Sequence, residues 1–137
     1  MAINLNIVME SYITDTSFKR NQIIKEIISF ASLSHDWDGY GALPLEVESA
    51  ANSILITNQL SNSDLFKISA LYPNPHGTIT FEWENDLEER ISLEVGNTSF
   101  SYYTKEKSSE PKFYSNMKFG EAEIEEFAKV VQSNFRH

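Results

Sequence analysis

The chain has 137 residues, no cysteine, and 20 acidic against 11 basic side chains, which gives a net charge of −9. This length fits one domain with one core, and the lack of cysteine excludes disulfides, thiolate zinc sites and a cysteine nucleophile. The negative charge opposes non-specific binding to nucleic acid or anionic lipid and favours a basic protein partner.

The first 60 residues predict one short strand and two helices. Alternating apolar residues from Ile3 to Met9 indicate an opening strand. Apolar residues spaced three and four apart predict an amphipathic helix that starts after the capping oxygens of positions 14–17 and ends near Leu33. Pro44 is expected in the first turn of a second helix that ends near Leu60. Its predicted apolar stripe consists of Val47, Ala50, Ala51, Ile54 and Leu55.

From Lys67 onward the apolar residues recur at every second position, which is typical of strands. Short connections rich in turn-forming residues favour antiparallel neighbours. A weaker alternation between Phe113 and Phe119 adds a possible fifth strand, and a final helix begins after Gly120. The four clear strands are Ile68–Tyr72, Ile79–Trp83, Ile91–Val95 and Phe100–Tyr102. Residues predicted on the opposite, solvated face are Thr78, Thr80, Glu82, Ser92 and Glu94.

The sequence therefore predicts a single α+β domain over residues 1–137. It consists of an antiparallel meander of four or five strands with about three helices packed on one face. No segment approaches the roughly 18 apolar residues of a membrane span, and the first residues lack the pattern of an export signal. We expect a cytoplasmic protein that does not contact a membrane.

The loop from Asp36 to Pro44 is rich in residues with special backbone requirements. Its Asp-x-Asp start and the glycine at the sixth position resemble an EF-hand loop, but Tyr40 and Val47 occupy positions that require oxygen ligands. The sequence thus predicts neither a metal nor a cofactor here. A structural interpretation is simpler, in which Asp38 caps the turn and the two glycines adopt positive φ.

An acid–base site is the alternative that the histidines offer. His35 and His76 could meet Glu82 in space, although no complete catalytic template is present and no catalytic residue is assigned. The sequence favours a protein without catalytic activity and leaves a small enzyme as an alternative.

Charge is most asymmetric between positions 82 and 94, where six acidic residues accompany only Arg90. If Glu82 and Glu94 share the solvated sheet face, they form an acidic surface for a basic protein. An ordinary solvated face and hairpin tip would show the same composition.

Two motifs carry a resemblance. Residues 37–44 read Trp-Asp-Gly-Tyr-Gly-Ala-Leu-Pro, and a later segment runs from Pro73 through Gly77 to Glu82-Trp83. The region from about 33 to 104 resembles a group of small uncharacterised bacterial and phage-associated proteins. The resemblance implies an accessory or toxin-neutralising role and no established activity. Its signature positions are Trp37, Asp38, Gly39, Tyr40, Gly41, Pro44, Gly77, Glu82 and Trp83.

These observations lead to one main hypothesis and two alternatives. The main one is a non-catalytic, acidic, antitoxin-like or immunity-like module that binds a basic protein. The alternatives are the acid–base enzyme and a homodimer subunit that pairs through the Ile3–Met9 strand. We also expect the loop to lock onto the sheet through contacts of Trp37 with Trp83 and hydrogen bonds from the loop to Glu82. The predicted binding residues are Trp37, Asp38, Tyr40, Glu82, Trp83, Glu84 and Glu94.

Overall fold

The computed structural model describes the backbone of residues 5–134 and the side chains of residues 18–134. The predicted α+β architecture is confirmed: five strands form one sheet in the order β1-β2-β3-β4-β5, with every neighbouring pair antiparallel. Among the described residues, no helix is long and apolar enough to cross a membrane. The elements are α1 (Leu5–Phe30), α2 (Val47–Gln59), α3 (Asn62–Phe66), β1 (Ile68–Pro73), β2 (Ile79–Glu84), β3 (Arg90–Val95), β4 (Phe100–Lys105), β5 (Lys112–Met117) and α4 (Glu121–Asn134).

The core lies between one face of the sheet and the helices. Alternate residues of β2, β3 and β4 are buried, as their period of two predicted. Trp83 is fully buried at the end of β2, where its indole N–H donates to the Asp64 carbonyl of α3 at 2.9 Å. Its ring stacks on Phe81 at 6.3 Å between centroids and meets Phe127 of α4 edge-on at 5.9 Å. Trp83 therefore joins the sheet to two helices.

The predicted opening strand is wrong over the part that the structure describes. Residues 5–9 belong to α1, and Ile3 lies outside the described residues. The apolar alternation spans too few residues to distinguish a strand from a helix. No glycine or proline occurs before Gly39 to stop a helix from extending back to Leu5. The homodimer hypothesis loses the strand on which it depended. Helix α1 ends at Phe30, shortly before the predicted end near Leu33. Two turns follow it, in which the amides of Ser32 and Leu33 donate to carbonyls three residues earlier.

The apolar stripe predicted for α2 is largely wrong. Val47 is 71% exposed and Leu55 is 41% exposed. The face that α2 buries carries mostly small and hydroxyl-bearing side chains. The Ser53 and Thr57 hydroxyls donate to carbonyls one turn earlier, at 2.8 Å each. A hydroxyl satisfied in this way can be buried at low cost. The buried residues of α2 are Ser49, Ala50, Ser53, Ile56 and Thr57.

The predicted end of α2 near Leu60 is confirmed, since the helix ends at Gln59 with Leu60 as its C-cap, whereas its start differs from the prediction. Pro44 precedes the helix, and Glu46 occupies the N-cap position. The short helix α3 follows directly, and its N-cap is Ser61, whose hydroxyl accepts a hydrogen bond from the Asp64 amide at 3.1 Å.

Arg20 of α1 holds the carboxyl end of α2. Its guanidinium donates to the carbonyls of Thr57 at 2.6 Å and Leu60 at 2.9 Å, and to Asn62 Oδ1 at 2.9 Å. Carbonyls at the end of a helix have no partner within the helix, and a cation there also complements the helix dipole. This contact fixes α1 against the α2–α3 junction.

We predict that Arg20→Met lowers the melting temperature. The aliphatic stem remains, but two carbonyls and an amide oxygen lose their charged donor, which costs about 1–2 kcal/mol and about 4–8 °C for a chain of this size. Thermal unfolding monitored by circular dichroism measures this, with Lys25→Met on an exposed position of the same helix as the control. Equal melting temperatures for the two variants would contradict the assigned role.

Candidate functional site

The side of the sheet opposite the core carries polar and aromatic residues, and we call it the outer face. The strand register places Glu82, Ser92, Tyr103 and Phe113 side by side across β2 to β5. A second row runs beside the first and consists of Tyr72, Thr80, Glu94 and Ser101.

A cleft of about 340 Å³ opens on this face. Small side chains on the three middle strands lie between Tyr72 on β1 and the Tyr103–Phe113 pair on β4 and β5. The Tyr103 and Phe113 rings are 5.7 Å apart, and Phe113 is 69% exposed. The residues of this outer-face cleft are Tyr72, Thr80, Glu82, Ser92, Glu94, Ser101, Tyr102, Tyr103, Phe113 and Ser115.

Glu82 is held by a phenol. The Tyr72 hydroxyl donates to Glu82 Oε1 at 2.6 Å. This hydrogen bond, with burial and the charge of Glu82 as smaller causes, raises the pKa of Tyr72 to about 12. Tyr72 therefore stays a neutral donor at neutral pH, and it orients the carboxylate without cancelling its charge.

Glu94 belongs to a second network on the same face. Its Oε2 accepts from the Thr78 hydroxyl at 3.2 Å and lies 3.0 Å from His76 Nε2. The side-chain Nδ2 of Asn74 donates to the hydroxyls of Thr78 at 2.9 Å and Thr80 at 2.7 Å. Thr80 was predicted to be solvated, but it is only 6% exposed. It lies between Tyr72 and Glu94 on the neighbouring strands.

The acidic segment is less uniform than its composition suggests. Glu84 forms an ion pair with Arg90 at 2.6 Å, so Arg90 compensates the negative charge of Glu84. Arg90 also lies opposite Lys105, so this end of the outer face is mixed in sign. The negative charge of the cleft itself comes from Glu82 and Glu94.

The glycine-rich loop is internally hydrogen-bonded. Asp38 Oδ1 accepts from the amides of Tyr40 at 2.8 Å and Ala42 at 3.1 Å, and Asp36 Oδ1 accepts from the Gly41 amide at 2.6 Å. Gly39 and Gly41 have φ of 78° and 83°, as their sequence positions predicted. Both carboxylates thus satisfy backbone donors, and within the described side chains no three His, Asp or Glu residues could hold a metal ion.

The loop docks on the β1–β2 turn. The Trp37 indole donates to the Leu43 carbonyl at 2.9 Å, and the Leu43 amide donates to the Pro75 carbonyl at 2.8 Å. The expected lock through Trp83 and Glu82 is not what the structure shows, because Trp83 packs in the core and Glu82 accepts from Tyr72. Tyr40, at 92% exposure, is the predicted loop residue that projects into solvent.

Within the described side chains, no hydrogen bond or ion pair links His35, His76 and Glu82 to one another. Among the described side chains, His76 is joined to Glu94 and Thr78, and Glu82 is joined to Tyr72. His35 lies exposed at the start of the glycine-rich loop. The Glu94–His76–Thr78 group is the arrangement that sequence reasoning missed, since it depends on strand pairing between β2 and β3.

Comparison with protein-family models, with curated proteins and with solved structures finds no match.

We predict that Tyr72 contributes almost no phenolate to the folded protein at pH 10.5. A phenol at its ordinary pKa of 10 would be about three quarters ionised there, whereas one at about 12 would be only a few per cent ionised. Tyr72→Phe should therefore leave the 295 nm absorbance of the folded protein nearly unchanged, yet remove most of one tyrosinate from the urea-unfolded chain. The stability from this hydrogen bond is present below pH 10 and is lost as pH rises towards 12. A loss of about three quarters of one tyrosinate from the folded state at pH 10.5 would contradict the assignment.

We also predict that Asp38→Ala destabilises the protein and that Asp38→Asn does so much less. Alanine leaves the amides of Tyr40 and Ala42 without their acceptor, whereas asparagine keeps an oxygen in the same place. The expected loss is about 1–2 kcal/mol, or about 4–8 °C in melting temperature. Differential scanning calorimetry of the two variants decides this, and equal loss in both would point to the charge and not to the hydrogen bonds.

Proposed function

We propose that the chain is a non-catalytic protein-binding module that recognises a basic protein through the outer face of its sheet. The observation that carries the proposal is the way in which Glu82 and Glu94 are held. Hydroxyl groups orient both carboxylates within a concave surface, Tyr72 for Glu82 and Thr78 for Glu94, and Glu94 Oε2 also lies 3.0 Å from His76 Nε2. The Tyr72 phenol leaves the charge of Glu82 available to a cation from outside the chain, and Glu94 adds a second carboxylate on the same face.

The role that suits these features best is neutralisation of a target in the cytoplasm, as an antitoxin or immunity protein does. Support comes from the net charge of −9 and from the motif resemblance in the loop and in β2. An acidic protein attracts a basic target over long distances, and this attraction speeds their encounter. Tyr40 is the loop residue whose exposure suits it to extend the contact beyond the cleft.

The predicted binding residues have separate roles in this proposal. Glu82 and Glu94 contact the partner, whereas Asp38 and Trp37 keep the loop in shape. Glu84 takes a secondary place because Arg90 pairs with it. The fully buried Trp83 fixes the strand and is excluded from the contact surface.

Affinity capture from the native host tests the proposal. The wild-type chain should retain a basic protein in stoichiometric amount, and high salt should release it. The double variant Glu82→Gln/Glu94→Gln should lose this protein. The matched control is Glu26→Gln/Glu125→Gln, which changes the net charge equally but on exposed positions of α1 and α4. Its capture should be unchanged.

Two outcomes would overturn the proposal. The first is the absence of any stoichiometric partner at low salt. The second is equal retention of the partner by both double variants, which would show that total charge and not the outer face governs binding.

A further inference from the structure

The outer-face cleft is suited to one charged side chain more than to an extended molecule. Its volume of about 340 Å³ lies at the small end of the roughly 300–1,000 Å³ that small-molecule sites occupy. The floor is made of short hydroxyl side chains such as Ser92 and Ser101, and the walls are aromatic. We infer that this cleft is a pocket for a single arginine side chain supplied by the basic partner, which deepens the proposed function and rests on it.

The two carboxylates are arranged for a shared cation. In the register of β2 and β3, Glu82 lies opposite Ser92 and Thr80 lies opposite Glu94. The two glutamates are therefore diagonal neighbours on adjacent strands. Diagonal neighbours on one face lie about 7–8 Å apart, within reach of long side chains. Like charges at this distance repel each other, and a cation seated between them removes the repulsion.

A guanidinium uses this arrangement better than an ammonium does. It is planar and has five N–H donors, so it can donate to both carboxylates and to hydroxyls on the floor at once. Its flat face can also stack on an aromatic ring such as Tyr103 or Phe113. Phe113 is a large ring that is mostly exposed on the edge strand β5, and a stacked side chain would cover it.

The neighbouring row of the outer face shows the same chemistry within the chain. There Arg90 donates to Glu84 at 2.6 Å and also interacts with Tyr103. A glutamate, an arginine and a tyrosine thus already combine on this face. Glu84 compensates the charge of Arg90, which reduces the repulsion between Arg90 and a cation drawn to Glu82 and Glu94.

The test uses N-acetyl-arginine methylamide as the probe, titrated into the ¹⁵N-labelled full chain at low ionic strength and followed by amide chemical shifts. Saturable shifts should be concentrated on β2, β3 and β4. The citrulline analogue, which has nearly the same shape without the charge, should give no saturable shift. The lysine analogue should bind several-fold more weakly than the arginine probe.

Variants locate the site within the molecule. Glu82→Gln/Glu94→Gln should weaken the arginine probe at least tenfold, whereas Glu26→Gln/Glu125→Gln should leave its affinity unchanged. Phe113→Ser should weaken it several-fold, and this variant keeps both carboxylates. The dispersed amide spectrum of each variant shows whether it is folded before its affinity is compared.

Each outcome bears on the inference. Failure of the arginine probe to saturate at tens of millimolar, equal binding of the citrulline analogue, or shifts centred on the helices would overturn the pocket. If a basic partner is nevertheless captured through Glu82 and Glu94, the proposed function stands without the pocket. If the probe binds as expected but no partner is captured, the pocket stands and the proposed function fails.

Discussion

The burial of Trp83 is the constraint on which the remaining structure depends. Its ring fills the space between the sheet and α4 through Phe127, and its N–H satisfies the Asp64 carbonyl of α3. A fully buried indole needs both a packed surround and a partner for its N–H, since an unpaired donor in the core is costly. Both requirements are met only when β2, α3 and α4 assemble together.

The same residue fixes the outer face. Side chains alternate along a strand, so the burial of Trp83 places Glu82 on the opposite side. A slip of one residue in the register would turn every outer-face residue into the core, which gives the packing strict control over the cleft. The pairing of β2 with β3 then sets Glu94 beside Thr80 and diagonal to Glu82. Core packing thus determines the geometry of the carboxylates.

Local patterns were sufficient for most of the fold and for little of the site. The period of two predicted the strands, and the positive φ of Gly39 and Gly41 followed from the turn chemistry of the loop. The extent of α1 and the hydroxylated face of α2 were missed, because neither leaves a distinct apolar pattern. The partners of Glu82 and Glu94 lie on other strands or turns, and no spacing in the sequence specifies such contacts.

If the outer face is the binding surface, a basic partner lies over the cleft that contains Glu82 and Glu94. Cross-saturation NMR on the complex, with this chain deuterated and the partner protonated, tests it most directly. The attenuated amides should lie on β2, β3 and β4, with further attenuation in the loop that carries the exposed Tyr40. Attenuation confined to α1 or α4, with the sheet unaffected, would contradict it.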